Sequence, residues 1–362
     1  MPTKLRIRSI CATPLDIPLH APFGISGGAQ AAANNVLVAV ELADGTRGHG
    51  EAAPLPPYNG ETQADALAAL QAAQPWLVNR AAADWRKIGR EFARRSRIRS
   101  GSARCALETA LLDALTRREQ VPLWMFFGGA GTTLETDMTV TTGTVDEATA
   151  AARAIRRRRI RVIKVKIGGA GGPRHDLARL VAIRRVAPRA PLLLDGNAGL
   201  SRRAAGQLVR LLAAEGIRPA LLEQWLPKDD LAGMRALREQ SGWLVAADEA
   251  VCTAADVRRI SRARAADVVN IKLMKSGVAE ALDLAEAARD VGLGLMIGGN
   301  VESILAMTVS ACLAAGLGGF RFADLDTPLF LAANPFRGGY RLQGGRISVA
   351  HLAAGHGVEP RV

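Results

Sequence analysis

From residue 137 onward the chain repeats one pattern: a short apolar run, a longer stretch with helical spacing, then another short run. The runs are DMTVTTG (137–143), VIKVKIG (162–168), PLLLDGN (191–197), ALLEQW (220–225), WLVAADE (243–249), DVVNIKL (267–273), GLGLMIG (292–298) and GFRFADLD (319–326). Each has the length of a strand. The segments between them, such as VDEATAAARAIRRRR and GVAEALDLAEAARDVG, space apolar residues three and four apart, as an amphipathic helix requires. Eight strands alternating with about seven helices predict a parallel β/α barrel, which takes roughly 250 residues with its decorations.

The flanks differ in texture. Residues 1–57 read as strands, with Asp44-Gly45 as a hairpin turn, and residues 61–118 read as helices. Strands followed by helices predict a separate α+β domain over 1–128, leaving the barrel 129–326. Residues 327–362, with Gly338-Gly339 and the strand-like GRISVAHL, no longer follow the β/α rhythm and are expected to return to the first domain.

Charge and composition narrow the function. The net charge is +13, but only seven of the 47 basic residues are lysines, and most arginines fall on helical faces, including the run Arg156–Arg159. With 4% aromatic residues there is little to stack on bases, so no nucleic-acid partner is expected. A non-catalytic basic binding protein is the remote alternative. No apolar run approaches the roughly 20 residues of a membrane span, and the N-terminus has no signal-peptide pattern, so the expectation is a cytoplasmic enzyme with no membrane partner. A homo-oligomer is left open. Cys11, Cys105, Cys252 and Cys312 lie far apart and read as four buried or partly buried free thiols.

The scarce lysines are informative, because an amine can be tuned into a base near neutral pH whereas a guanidinium keeps its proton. Lys164 and Lys166 end the second apolar run, Asp195 the third, Glu223 the fourth, Asp248 and Glu249 the fifth, and Lys272 the sixth. The C-terminal ends of barrel strands face one mouth, so these residues are predicted to converge. One acid after a strand is ordinarily a helix cap or a solvated loop residue. Charged side chains at five successive strand ends point instead to a catalytic site. Three carboxylates suit a hard cation such as Mg²⁺, and His20, His49, His175, His351 and His356 are too scattered to compete as ligands. Such a metal can hold a substrate carboxylate and neutralise the charge that appears when the neighbouring proton leaves. Lys164, near Lys166 and a cation, is expected to lower the pKa of Lys166 and so activate it. Lysines on the second and sixth strands lie on opposite sides of the ring, an arrangement that permits proton removal from one face and return to the other.

These residues, as Lys164-Val165-Lys166, Asp195-Gly196-Asn197, Glu223-Gln224, Asp248-Glu249 and Ile271-Lys272-Leu273-Met274-Lys275, resemble the enolase superfamily, in its muconate-lactonizing-enzyme subgroup. The resemblance extends to GEAAPLPPYNGET, the helix ALETALLDAL and the C-terminal return. It implies an α/β fold, a modified (β/α)₇β TIM-type barrel with an α+β capping domain. It also implies Asp195, Glu223 and Asp248 as Mg²⁺ ligands, backed by Asn197 and Glu249, and Lys166 and Lys272 as the acid/base pair. Asp324-Leu325-Asp326 resembles the Asp-x-Asp with which dipeptide epimerases bind a substrate ammonium, a charge-assisted contact. The expected activity is therefore epimerisation at the C-terminal residue of a dipeptide. The alternatives within the subgroup are N-acylamino-acid racemase, o-succinylbenzoate synthase and cycloisomerase. Glu302 is expected to orient Lys272 or line the mouth, and Phe23, Ile25 and Tyr58 to touch the substrate side chain. The chain departs from the pattern at Gly27, where Ala-Glu epimerases carry an Arg, at Val278, where a second glycine is usual, and at Asn300, where relatives have Met.

Overall fold

The computed structural model describes residues 5–25, 28–96 and 100–361, with Ile25 described by its backbone alone. Strands β1 (Ile7–Ile25), β2 (Gly28–Leu42) and β3 (Arg47–Ala52) form an antiparallel sheet in that order. Val36, Val38, Val40 and Leu42 alternate along one face of β2 and are fully buried, the two-residue period that a one-sided sheet imposes. The β2–β3 turn falls at Asp44-Gly45, where Gly45 takes φ +86° and Asp44 Oδ1 accepts the Thr46 N–H at 3.1 Å. Helices Gln63–Leu77 and Gly101–Arg118 cover the buried face, and helix Trp85–Arg95 packs against the latter. Helix Gly101–Arg118 lies directly on β3: a Cβ added at Gly50 would sit 2.0 Å from the Ala106 carbonyl oxygen. Glycine there is what lets helix and strand backbones touch.

After β4 (Thr133–Glu135) each of the eight apolar runs contains one strand of a parallel sheet. In order these are β5 (Met138–Val140), β6 (Ile163–Lys166), β7 (Leu192–Asp195), β8 (Leu221–Glu223), β9 (Val245–Ala247), β10 (Val268–Lys272), β11 (Gly294–Gly298) and β12 (Phe320–Ala323). A helix follows each of β5 to β11, while β12 runs into the 3₁₀ turn Thr327–Leu329, so the architecture is (β/α)₇β. Between β12 and β5 the ring is closed mainly by side chains. The Asp137 N–H donates to the Ala323 carbonyl at 3.0 Å, the Leu325 N–H to Thr136 Oγ1 at 2.9 Å, and the Thr139 N–H to Asp326 Oδ2 at 2.6 Å. No helix among the described residues is long and apolar enough to cross a membrane.

The cap sits over the mouth through buried polar contacts. Glu51, at the end of β3, accepts the Ser303 and Ala306 N–H groups at the start of helix Ile304–Leu317, at 2.9 and 3.2 Å, and the Asn35 amide at 2.7 Å. A carboxylate at a helix N-terminus also meets the favourable end of the helix dipole. Asn300, one of the departures from the family pattern, donates to the Ala53 carbonyl at 2.9 Å and so ties the seventh strand's loop to the cap.

Strands β13 (Phe336–Gly338) and β16 (Val358–Pro360) pair with each other, and β15 (Arg346–Ser348) joins β14 (Arg341–Gln343) to β4. This C-terminal segment reaches the cap helix Gly101–Arg118 through Asp113, which accepts the N–H groups of His49 and His356, each at 3.0 Å. The His356 ring is itself buried, with Nε2 at 2.9 Å from the His49 carbonyl and Nδ1 accepting from Val358 N–H at 3.1 Å. Burial holds this imidazole below its usual 6.5, although Asp113 Oδ2 lies 3.2 Å away. A depressed histidine means that the unfolded chain takes up the proton first as pH falls. Its contribution to stability is therefore complete above 6.5 and is lost progressively below it. The melting temperature is expected to drop from about pH 7 to about pH 5, and to drop less in His356→Gln. Identical pH slopes for the two proteins would contradict this assignment.

Candidate active site

Every strand-end charge predicted from the sequence faces the same buried space. Lys164, Asp195, Glu223 and Asp248 are fully buried, and Lys166 and Lys272 are 5% exposed. The strand register explains the meeting of Lys166, Asp195 and Glu223, since Lys166 lies opposite Asp195 and Asp195 opposite Glu223 in the parallel ladder.

The lysines and acids interleave. Lys164 Nζ lies 2.9 Å from Asp195 Oδ2, 2.8 Å from Glu223 Oε2 and 2.6 Å from Asp324 Oδ2. Lys166 Nζ meets Asp195 Oδ2 at 2.6 Å, and Lys272 Nζ meets Asp248 Oδ2 at 2.7 Å. Asp248 Oδ1 also receives Lys275 at 2.9 Å and the Tyr58 hydroxyl at 3.3 Å. The Tyr58 ring lies 4.9 Å from Lys272 Nζ, in cation–π range. Between Lys166 on β6 and Lys272 on β10 stand the three strands whose ends carry Asp195, Glu223 and Asp248.

Two opposing forces set the protonation of this cluster: burial, which disfavours charge, and close opposite charges, which restore it. Burial pushes Asp195 up, but Lys164, Lys166 and Lys272 outweigh it and hold the carboxyl well below its usual range. Lys272 and Lys275 do the same for Asp248. Burial, then the neighbouring Asp195, pushes Glu223 up to about 7, and burial, then Asp248, pushes Glu249 up to about 8. Crowding among cations does not lower Lys164 or Lys272. Burial pulls Lys164 down, yet Asp195, Asp324 and Glu223 lift it well above its ordinary value, and Asp248 lifts Lys272. In this arrangement both ammoniums are held in their charged form by the carboxylates around them.

The second acidic pair sits beside Lys164. Asp324 is 7% and Asp326 1% exposed. Asp326 has a structural duty that the sequence did not disclose, because its Oδ2 accepts the Thr139 N–H across the barrel seam. A third carboxyl, Asp137, joins them: one oxygen from each of Asp137, Asp324 and Asp326 lies within 4.8 Å of the others. Both Asp137 oxygens and Asp326 Oδ1 are buried without a hydrogen-bond partner. Burial, then Asp324 and Asp326, push Asp137 well above the carboxylate range.

Phe23, Leu55, Tyr58, Thr139, Lys166, Asn197, Lys272, Asn300, Asp324, Asp326 and Thr327 line a narrow cavity between cap and barrel mouth. Phe23 is 8% exposed and packs edge-on against Phe330 at 5.4 Å between ring centres. Glu302 is buried and outside this lining: its Oε1 accepts the Asn300 N–H at 2.7 Å, and burial pushes it up to about 8. Gly27 and the Ile25 side chain lie outside the described residues. Asn197 donates to Glu249 at 3.4 Å, and its N–H donates to Asp195 Oδ1 at 2.9 Å, so it links the cavity wall to the acid row. Asn270 was missed. It donates to Glu223 Oε1 at 2.9 Å, and a lone amide two residues before Lys272 in an apolar strand was the available signal. A wider groove at the opposite end of the barrel, lined by Arg156, Ile160, Arg161 and Pro188, carries no such constellation.

Could the acid row hold a divalent cation? Glu223 Oε2 and Asp248 Oδ2 are buried without an aligned hydrogen bond, although lysine ammoniums lie 2.8 and 2.7 Å from them, and Glu249 Oε2 is likewise without one. Buried carboxyl oxygens in this state are suited to a hard cation, so the donor set fits the ion expected from sequence.

Comparison with known proteins follows the geometry. Residues 7–128 match the family described as "Mandelate racemase / muconate lactonizing enzyme, N-terminal domain", and residues 146–362 match "Enolase C-terminal domain-like". The chain is 51% identical over 358 residues to the "Aromatic dipeptide epimerase" of Herpetosiphon aurantiacus, covering 99% of each protein. It superposes on the crystal structure of a mandelate racemase/muconate lactonizing enzyme from Roseiflexus sp. with TM-score 0.94 at 55% identity, covering 100% of both chains. A dipeptide epimerase from Enterococcus faecalis V583, complexed with Mg and L-Leu-L-Tyr, matches with TM-score 0.92 at 28% identity, over 98% of this chain and 99% of that one. The chain therefore belongs to the enolase superfamily, in its mandelate racemase/muconate lactonizing enzyme family.

Proposed function

We propose that the protein is a Mg²⁺-dependent dipeptide epimerase that inverts the α-carbon of a C-terminal aromatic or other apolar residue. The observation that carries this is the set of two lysines, Lys166 and Lys272, separated by three acid-bearing strands beside the buried Asp324 and Asp326. Relatives named as dipeptide epimerases support the reaction class. The side-chain preference rests on Phe23, Leu55 and Tyr58 in the cavity lining, and on the 51% identical relative that carries "Aromatic" in its name.

Asp195, Glu223 and Asp248 are assigned as the Mg²⁺ ligands, and the bound ion would offset the negative charge that develops on the substrate carboxylate. Lys166 and Lys272 are assigned as the proton-transfer pair, one for each face of the α-carbon. The neutral lysine of one face takes the proton while the ammonium of the other face returns one, so each turnover exchanges their protonation states. Lys164 serves as a fixed cation among Asp195, Glu223 and Asp324. Asp324 and Asp326 are assigned to the substrate ammonium, whose charge offsets their repulsion. The four cysteines are all free, and Cys11, expected at least partly buried, is instead exposed on the edge strand β1, which suits the reducing cytoplasm in which we place the enzyme.

The test uses L-Ala-L-Phe and its N-acetyl derivative in D₂O, followed by mass spectrometry. Deuterium at the Phe α-carbon and formation of L-Ala-D-Phe are expected with the free amine and not with the acetylated peptide. Equal turnover of both would place the chain with the racemases of N-acylated amino acids. Changing the substrate rather than Asp326 avoids disturbing the barrel seam.

A further inference from the structure

Strand β5 stops at Val140, and its ladder with β6 ends at the pair Val140 and Val165. On that side the backbone of Lys166 has no strand partner. The gap is filled by Arg179, from helix Gly172–Val186 behind the strands. Its guanidinium donates to the Lys166 carbonyl at 2.8 Å and also to the Thr141 carbonyl. The planar fork thus spans the ends of two adjacent strands, a contact that a lysine cannot reproduce. One turn earlier on the same helix, Asp176 Oδ2 accepts the Gly168 N–H at 2.8 Å, and its other oxygen lies 3.4 Å from Arg179. The segment Lys166–Gly168 is therefore held at both ends by one buried ion pair, with Arg179 1% and Asp176 2% exposed. Burying such a pair is costly, and a plain structural role is met as well by apolar packing. Lys272 is held differently and without Arg179: its ladder with β11 runs through the pair Lys272 and Gly298, and on the β9 side Lys275 Nζ donates to the Asn270 and Asp248 carbonyls at 2.7 and 2.8 Å.

We propose that Arg179 is a positioning residue for Lys166: it seats the lysine by its backbone and so governs proton transfer on one face of the substrate α-carbon. This rests on the two-lysine epimerase reading above. Lys166 and Lys272 then differ in how they are held, so a change at Arg179 strikes one half of the reaction.

The experiment compares Arg179→Lys with Lys166→Ala and wild type, measuring initial α-deuterium incorporation in D₂O into L-Ala-L-Phe and, separately, into L-Ala-D-Phe. The epimer whose exchange is lost in Lys166→Ala is expected to exchange on the order of 10²-fold more slowly in Arg179→Lys, the scale of a misplaced reacting group. The loss should fall on kcat rather than KM, with the other epimer near its wild-type rate. Equal slowing of both epimers, or of neither, overturns the proposal. Asp176→Asn/Arg179→Gln removes both buried charges and replaces Arg179→Lys should that variant fail to fold. Amide hydrogen exchange supplies a readout that needs no substrate. Faster exchange over residues 162–168, with 267–273 unchanged, is expected, and protection equal to wild type over 162–168 overturns the proposal even if no dipeptide is a substrate.

Discussion

Interconversion of L-Ala-L-Phe and L-Ala-D-Phe is expected to fall on the order of 10²–10⁴-fold in both Lys166→Ala and Lys272→Ala, the usual range for removing a general acid or base. The two variants should fail differently. Lys166 is bound to Asp195 and Lys272 to Asp248, on strands separated by β7, β8 and β9, so a substrate α-carbon held between them presents opposite faces. Each variant keeps one base and should still wash deuterium into one epimer without inverting it. Proton NMR of the α-position in D₂O, begun from each pure epimer, separates exchange from inversion. Survival of inversion at wild-type rates in either variant would sink the two-base mechanism. So would loss of exchange from the same epimer in both.

Removal of the divalent cation should have an effect of similar size. EDTA is expected to lower epimerisation by at least about 10³-fold, with recovery on adding Mg²⁺, because charge stabilisation at the substrate carboxylate is lost together with its orientation. A second readout is independent of turnover. A ligand at 100 times its dissociation constant stabilises the folded state by about 2.7 kcal/mol, so Mg²⁺ should raise the melting temperature of the chelated protein. Asp195→Asn should lack that rise, since it removes a carboxylate from the centre of the row. A cation-independent melting temperature together with EDTA-resistant exchange would remove Asp195, Glu223 and Asp248 from their assigned role.

Much of the barrel and the charged row was legible in the sequence because both follow from periodicity. Each apolar run ends in a residue that the ladder delivers to the mouth, and the 24 to 29 residues between the charged positions from Lys166 to Lys272 are one strand–helix unit. The missed residues depend on something other than period. Lys275 reaches Asp248 because the helical turn Leu273–Ser276 carries it back over the strand end, a reversal that no spacing rule marks. Asp137 lies at the start of its strand, where a charge ordinarily reads as solvated, and meets Asp324 and Asp326 only because the barrel closes there. The protonation of Lys164 and Lys272 is not legible in spacing for a related reason: the number of carboxylates surrounding each amine is a property of three dimensions.

The side-chain-closed seam between β12 and β5 divides the tasks of substrate choice unequally. Phe23, Leu55 and Tyr58 come from the cap, so trading one apolar dipeptide for another can proceed by small changes that leave the barrel untouched. Asp326 is a staple of the barrel as well as a member of the acidic pair. A descendant that abandons amine-bearing substrates must therefore find another way to close its ring before it can discard that carboxylate. Drift among apolar side chains is cheap in this scaffold, and departure from peptides altogether is not.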